Sequence, residues 1–128
     1  MTPDDPHRAV IDRYITAYNA RDVPAMLALL HDDVTFENVA AGQVTASARG
    51  LEEFRALAEH GATLFTSRRQ TITRYEPQPD GAVADVDFEA VLATDLGPDL
   101  RAGDPLRLSG RSHFRLRDGR IAHLVDES

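Results

Sequence analysis

Apolar residues in the first half of the chain recur at helical spacing and predict three helices. The first helix is expected over residues 7–19, with the apolar stripe Val10, Ile11, Tyr14, Ile15 and Tyr18. Asp22 is a good N-cap for a second helix, and Pro24 is tolerated in its first turn. The apolar face of this second helix consists of Val23, Met26, Leu27 and Leu30. The third helix is expected to begin at Gly50 and to break near Gly61, with the core face Leu51, Phe54, Leu57 and Ala58.

Elsewhere the apolar period is two residues, which predicts strands. Five strands are expected, at residues 34–38, 68–76, 82–94, 106–117 and 121–126. Residues 95–105 contain two glycines and two prolines, so they predict a loop that forms a rim or lid, although disorder fits this composition equally well. Three helices followed by an antiparallel meander indicate an α+β fold with the helices on one face of the sheet. We expect one domain over residues 1–128.

The third and fourth predicted strands each have one apolar and one charged face. The apolar positions are Ala84, Val86, Phe88, Ala90 and Leu92 on the third strand and Leu106, Leu108, Gly110, Ser112, Phe114 and Leu116 on the fourth. The opposite faces carry Asp85, Asp87 and Glu89 on the third strand and Arg107, Arg111, His113, Arg115 and Arg117 on the fourth. Because opposite charges pair across neighbouring antiparallel strands, we expect the basic residues to be structural or part of a dimer interface.

Composition narrows the classes of function. The net charge of −7 repels phosphate backbones, so nucleic acid is not an expected partner. No apolar run approaches the ~20 residues of a membrane span, and the acidic segment 1–6 lacks the features of a signal peptide. The chain has no cysteine, which excludes disulfides and thiolate chemistry and favours a cytoplasmic location. The five histidines lack metal-binding spacing and no phosphate-binding glycine loop occurs, so neither a metal nor a nucleotide cofactor is expected.

Several short segments carry a resemblance to a known superfamily. They are Arg13–Ile15 with Tyr18–Asp22, Leu29–Val34, Gly50–Phe54 and Asp118–Ile121. Together they resemble the nuclear-transport-factor-2-like superfamily and, within it, SnoaL-like and ketosteroid-isomerase-like proteins. The resemblance implies a cone-shaped fold, in which a curved antiparallel sheet and three N-terminal helices on its concave face enclose an apolar pocket for a small molecule. It also implies a homodimer through the outer face of the sheet, where Arg111, His113 and Arg115 are expected.

Residues of the catalytic site can be carried over from ketosteroid isomerases only in part. In those enzymes a tyrosine of the first helix and an aspartic acid on a strand polarise the substrate carbonyl, and an aspartate at the end of the first strand moves the proton. Tyr14 matches the tyrosine, whereas Asn38 and Ser112 occupy the positions of the base and the aspartic acid. Since asparagine is not a base, steroid isomerisation by that mechanism is not expected.

Two other related groups place an aspartate on the last strand. Limonene-epoxide-hydrolase-like proteins hold water with a tyrosine, an asparagine and an aspartate, and the matching positions here are Phe36, Asn38 and Asp126. Their arginine–aspartate pair on a middle strand is replaced by Phe88 and Ala90. SnoaL-like cyclases use a single aspartate against an apolar substrate, which fits Asp126 better.

The orientation of Asp126 cannot be taken from periodicity, because the last strand is apolar on both faces. A tight two-residue turn at Asp118–Gly119 places Asp126 outside, opposite Arg111. A longer turn with a bulge shifts the register by one residue and places Asp126 inside, near Ser112. The resemblance favours the inside position, and we therefore expect the longer turn.

These residues predict a cofactor-independent acid–base enzyme. Asp126 is expected to be the general base, Asn38 on the facing wall to orient water or substrate, and Tyr14 to donate a hydrogen bond. The substrate pocket is expected to contain Phe36, Val86, Phe88, Ser112, Phe114 and Leu124. Alternatively, the same fold serves as a ligand-binding or dimerisation module without turnover, with Tyr14 bonded to the backbone and Asn38 ending its strand. Arg68 and Arg69 are interpreted as solvated residues at the start of their strand.

Overall fold

The computed structural model describes residues 5–128 of the protein, which form three helices and six strands. The helices are α1 (Pro6–Asn19), α2 (Val23–Ala28) and α3 (Gly50–Thr63). The strands are β1 (Leu30–Ala40), β2 (Gln43–Arg49), β3 (Phe65–Gln78), β4 (Gly81–Leu92), β5 (Pro105–Arg117) and β6 (Arg120–Glu127). Most of the acidic segment 1–6, on which the expectation of no signal peptide depends, lies outside the described residues.

A side-chain cap and a glycine determine where α2 and α3 begin. Asp22 caps α2 as predicted, because its carboxylate accepts a hydrogen bond from the backbone nitrogen of Ala25 at 3.1 Å. Gly50 begins α3 with a positive φ of 81°, a conformation that glycine adopts without strain.

Two expected helix boundaries are wrong. The α3 helix continues through Gly61, and Leu30 is the first residue of β1 rather than part of α2, since its strand pairs with Ile121.

The six strands form one mixed sheet in the order β2-β1-β6-β5-β4-β3. The α+β class is confirmed, but the expectation of an all-antiparallel sheet is wrong, because β1 and β6 run parallel. These two strands are separated by most of the chain, so no hairpin turn determines their relative direction. The β2 strand was not predicted because it lies at the sheet edge and most of its residues are exposed, which leaves no apolar alternation.

The hydrophobic core lies between the inner face of the sheet and the helices. Its fully buried residues include Ile11 of α1 and Leu30, Val34, Ile121 and Leu124 of the central strands. The α3 helix packs on β1 and β2, whereas α1 packs on β3, β4 and β6. The two helices therefore cover the concave side of the sheet, and the space that they leave beyond the core is available for a ligand.

The outer face of the sheet carries the predicted pairs of opposite charge. Arg111 Nε lies 3.1 Å from Asp85 Oδ1, and Arg107 Nε lies 3.9 Å from Glu89 Oε1. These exposed pairs each contribute roughly 0.2–1 kcal/mol to stability. Pairing across β4 and β5 thus accounts for part of the row of arginines without a nucleic-acid ligand.

Candidate active site

A cavity lies between the sheet and the helices and has two adjoining parts. The larger part has a volume of about 380 Å³, and its wall includes Tyr14, Tyr18, Phe36, Phe54, Leu57 and Arg68. The smaller part has a volume of about 200 Å³, and its wall includes Val86, Phe88, Leu108, Gly110 and Ser112. Both parts are bordered by Tyr18, Asn38, Phe65 and Asp126. Asp126 and Asn38 therefore lie where a ligand in either part would meet polar groups.

Asp126 lies on the inner face of the sheet, where Ser112 of the neighbouring strand supports it. The two residues are partners in the β5–β6 register, and Ser112 Oγ donates a hydrogen bond of 2.7 Å to Asp126 Oδ1. Ser112 is only 4% exposed, whereas part of the Asp126 side chain remains accessible. One carboxylate oxygen is thus held in place while the rest of the group borders the cavity.

A bulge in β6, rather than a long turn, places Asp126 inside. Arg117 pairs with Arg120, so the turn between them contains only Asp118 and Gly119, with φ values of 56° and 75°. This is the tight two-residue turn, and the expectation of a longer one is wrong. Further along the strands Leu116 pairs with Ile121 but Arg115 pairs with His123, which leaves an extra residue in β6. The extra residue shifts the register by one and reverses the face of every residue that follows.

The surroundings of Asp126 make it a stronger base than an ordinary aspartate. Burial beside the apolar cavity raises the pKa of Asp126 to about 6, while the Ser112 hydrogen bond and the nearby His113 act in the opposite direction. A carboxylate with this pKa is ionised at neutral pH and accepts a proton more readily than an exposed one. The group is therefore suited to proton transfer.

Asn38 lies beside Asp126 rather than on the facing wall, where we expected it. The two residues are partners in the parallel β1–β6 register. Asn38 Nδ2 donates a hydrogen bond of 2.8 Å to Thr45 Oγ1, and this hydroxyl in turn donates to the Asn38 carbonyl oxygen at 3.2 Å. One of the two amide N–H donors is thus bonded, which leaves the second N–H to donate to water or a ligand and the amide oxygen to accept from it.

Tyr14 lies in the wall of the larger part of the cavity and is only 4% exposed. Its ring packs edge-to-face on Phe114, with 6.3 Å between the centroids. No backbone group of residues 5–128 accepts a hydrogen bond from its hydroxyl, in contrast to the structural alternative. Burial and the charge of Asp126 raise the pKa of Tyr14 well above its ordinary value, so the hydroxyl keeps its proton.

The six predicted pocket residues do not all reach the cavity. Phe36 borders the larger part, and Val86, Phe88 and Ser112 border the smaller part. Phe114 and Leu124 are instead 3% and 0% exposed in the hydrophobic core and line neither part. They share the inner face of the sheet with Ser112, but the side chains of the helices cover them.

Arg68 is a cavity residue that the sequence interpretation missed. It is only 8% exposed, so the interpretation as a solvated residue is wrong, whereas Arg69 is exposed as expected. Alternation from the half-buried Ile72 through Gln70 already places Arg68 on the inner face. That signal was available in the sequence, but the charge of the side chain favoured the opposite interpretation.

The structure adds three findings on cofactors, membranes and the predicted loop. Within residues 5–128, no group of three or more histidine, aspartate or glutamate side chains could hold a metal ion. In the same part of the chain, no helix is long and apolar enough to span a membrane. Residues 95–104 form a turn, in which Leu96 N donates a hydrogen bond to the Leu100 carbonyl oxygen and Leu100 N donates to that of Gly97. None of residues 95–105 lines either part of the cavity.

Comparisons with solved structures place the chain among proteins with this cone fold. A protein from Silicibacter sp. TM1040 named as a polyketide cyclase is 30% identical, with coverage of 94% of this chain and 87% of that chain and a TM-score of 0.74. A Pseudomonas putida protein also named as a polyketide cyclase is 26% identical, with coverage of 96% and 91% and a TM-score of 0.74. An LEH-like epoxide hydrolase from Mycobacterium tuberculosis is 16% identical, with coverage of 95% and 81% and a TM-score of 0.75, and thus shares the fold.

The family comparison covers most of the sequence. No curated protein matches the chain. The model of the SnoaL-like domain, however, matches residues 11–124, a range that includes nearly all of the sheet and every cavity residue named above except Asp126. The protein therefore belongs to the SnoaL-like domain family.

Proposed function

We propose that the protein is a cofactor-independent acid–base enzyme of the cyclase, isomerase or hydrolase type that acts on a small, largely apolar molecule. The observation that carries this proposal is Asp126, a carboxylate held by Ser112 at the border of an apolar cavity, with its pKa raised to about 6. Such groups are typical general bases. The similarity to two proteins named as polyketide cyclases supports the same class of chemistry.

Proton abstraction next to a carbonyl group illustrates the roles of the three polar residues. Asp126 takes the proton from carbon, and the electron pair of the broken bond moves to the carbonyl oxygen to give an enolate. Tyr14 donates a hydrogen bond from its protonated hydroxyl, while the amide oxygen of Asn38 orients the ligand or a water molecule. The aromatic wall excludes bulk water, which strengthens each of these interactions.

A ligand-binding module without turnover is the second candidate. It is favoured by the bond between Asn38 Nδ2 and Thr45, which leaves one fewer donor for a reacting group. Phe88 and Ala90 also lack the polar groups that open an epoxide in the hydrolases of this fold. In this case Asp126 would contribute to ligand recognition alone.

Deuterium exchange of a simple enolisable ketone distinguishes the two candidates. The ketone 2-tetralone is incubated in D₂O with the protein, and loss of the α-proton signal is followed by NMR. An acid–base enzyme accelerates the exchange above the rate in buffer and above the rate with heat-denatured protein. Binding of 2-tetralone, seen as line broadening without accelerated exchange, would support the module instead.

Ser112→Ala is expected to shift the pH dependence of this exchange. The Ser112 hydroxyl stabilises the charged form of Asp126, so its removal raises the pKa of the carboxyl further above its ordinary value. A hydrogen bond to a charged group contributes about 1.5 kcal/mol or more. Its loss is therefore expected to move the acidic limb of the pH–rate profile to higher pH by roughly one pH unit. The pH–rate profile of the exchange measures this shift.

Tyr75→Phe provides the matched control. The Tyr75 hydroxyl donates a hydrogen bond of 2.7 Å to Asp5 Oδ2 and lines neither part of the cavity, so the control removes the same kind of hydroxyl–carboxylate bond away from Asp126. Its acidic limb should match that of the wild type. An unchanged limb in Ser112→Ala would mean that Asp126 does not set the rate.

We also propose that two copies pair through the outer face of the sheet. Arg111, His113 and Arg115 lie there, and His113 Nε2 lies 3.6 Å from Glu127 Oε1 on the neighbouring strand. Paired charges of this kind lower the cost of bringing two such faces together. Light scattering is expected to give a dimer mass, and a double Arg111→Glu, Arg115→Glu variant should shift it toward the monomer. A monomer mass for the wild type at all accessible concentrations would exclude this pairing.

A further inference from the structure

Arg68 carries a positive charge into the wall of the larger part of the cavity. The residue is 8% exposed, and its Nε donates a hydrogen bond of 3.1 Å to the carbonyl oxygen of Tyr18. No atom of residues 5–128 accepts a hydrogen bond from its Nη2, which is fully buried. One donor of the guanidinium is therefore bonded within the protein, and another is not.

The structural role of Arg68 explains only its Nε. The Tyr18 carbonyl lies in the last turn of α1, where a cation is favoured by the helix dipole. The guanidinium also lies 3.8 Å from the centre of the Tyr18 ring, which holds its plane in one orientation. Both contacts fix the direction of the side chain. Neither of them satisfies Nη2.

The charge of Arg68 is uncompensated within the described chain. None of the carboxylates of residues 5–128 forms a salt bridge with it. Arg21 is close enough to add a second positive charge to its surroundings, and burial lowers the pKa of Arg68. A buried donor of a charged group costs about 1–3 kcal/mol or more when it is left without an acceptor. A negatively charged group in the cavity that Arg68 lines would balance this charge and offset part of the cost.

We propose that the guanidinium of Arg68 binds an anionic oxygen on the otherwise apolar ligand of this cavity. The chemical class is an aromatic or aliphatic skeleton that carries a carboxylate, a phenolate or an enolate. This inference rests on the proposed function, because it places the ligand in the same cavity, and it narrows the substrate class from apolar molecules to apolar acids. Tyr14, Tyr18 and Asp126 line the larger part of the cavity together with Arg68, so a ligand bound there would meet the cation, the base and both tyrosines.

A pair of probes that differ only in charge tests the proposal. The anion 2-naphthoate and the neutral 2-naphthamide have the same ring system and nearly the same shape. Their dissociation constants at pH 7.5 are measured by calorimetry or tyrosine fluorescence. A charge-assisted hydrogen bond contributes about 1.5 kcal/mol or more, so 2-naphthoate is expected to bind about 10-fold more tightly, or better. Equal affinities, or no binding of either probe, would overturn the proposal.

Variants of the two neighbouring arginines locate the preference. Arg68→Gln is expected to remove the preference for 2-naphthoate, and Arg69→Gln is the control, since it removes the same charge from the exposed neighbour and should keep the preference. Arg68→Lys retains the cation and should keep part of it, which provides a readout if the glutamine variant does not fold. If a folded Arg68→Gln variant still prefers 2-naphthoate over 2-naphthamide, the anion is bound by another group of the protein.

The binding experiment is independent of turnover. Asp126→Asn removes the proposed base but not Arg68, so 2-naphthoate should bind this variant at least as tightly as the wild type. If the wild type fails to accelerate the exchange of 2-tetralone but prefers 2-naphthoate, the enzyme proposal fails and the anion site stands. If the wild type accelerates the exchange of 2-tetralone but binds the two naphthalene probes equally, the anion site fails and the enzyme proposal stands.

Discussion

Replacement of Asp126 by asparagine is expected to slow proton transfer by about 10²–10⁴-fold while the fold stays intact. The amide is nearly isosteric with the carboxylate and can still accept the hydrogen bond from Ser112, but it has no basic oxygen. The aromatic wall of the cavity and the hydroxyl of Tyr14 remain unchanged. Any loss therefore reports on the base itself, measured as the rate of deuterium exchange into 2-tetralone.

Asp85→Asn is the matched control for this substitution. Asp85 is a carboxylate on the outer face of the sheet, where it pairs with Arg111 at 3.1 Å, and it lines neither part of the cavity itself. Its exchange rate should equal that of the wild type. If Asp126→Asn retained full activity, Asp126 would not be the base, and another group would have to accept the proton.

The same Asp126→Asn variant is expected to be more stable than the wild type at pH 7. The pKa of Asp126 is about 6 in the folded protein and has an ordinary value of 3.8, so the folded state binds the proton more tightly than the unfolded state does. Ionisation therefore costs folding free energy as the pH rises from about 4 to about 6. At pH 7 this cost is at most about 3 kcal/mol, and it is reduced by the part of the side chain that reaches solvent. The asparagine variant does not incur it.

Urea unfolding at pH 4 and pH 7 measures this effect. The gain in the free energy of unfolding should be clear at pH 7 and should disappear near pH 4, where the aspartate is protonated in the folded protein. Asp85→Asn should show no gain at pH 7, because it loses an ion pair with Arg111. An Asp126→Asn variant with the same stability as the wild type at both pH values would show that the carboxylate is fully solvated and not a shifted base.

Local sequence signals predicted the elements whose causes are local. Helix α1 follows from the stripe that includes Ile11 and Tyr14, and the start of α2 follows from the Asp22 cap. The alternation of β4 and β5 predicted their charged outer faces, and the pairs of Asp85 with Arg111 and of Glu89 with Arg107 form across them. The residues that predict each helix lie within a few positions of it. The charge pairs are predicted by two complementary patterns on consecutive strands.

Features that depend on distant residues could not be obtained in this way. The parallel direction of β1 and β6 arises between strands separated by most of the chain, where no turn residue specifies the direction. The position of Asn38 beside Asp126 is a consequence of that pairing. Sequence resemblance placed both residues in the pocket, but it could not state that they lie next to each other.

The orientation of Asp126 depends both on a local sequence signal and on contacts between distant residues. Asp118 and Gly119 are typical residues for the φ values above zero of the tight turn that forms, although the resemblance led us to expect a longer turn. Only the tertiary structure decided which face Asp126 occupies, because the extra residue in β6 forms to keep Ile121 and Leu124 in the core on both sides of it. Arg68 is similar, since alternation points it inward but only the packing of α1 and α3 around the cavity buries its charge. Burial of this kind is a property of the assembled fold, and it is what turns two ordinary charged side chains into a candidate site.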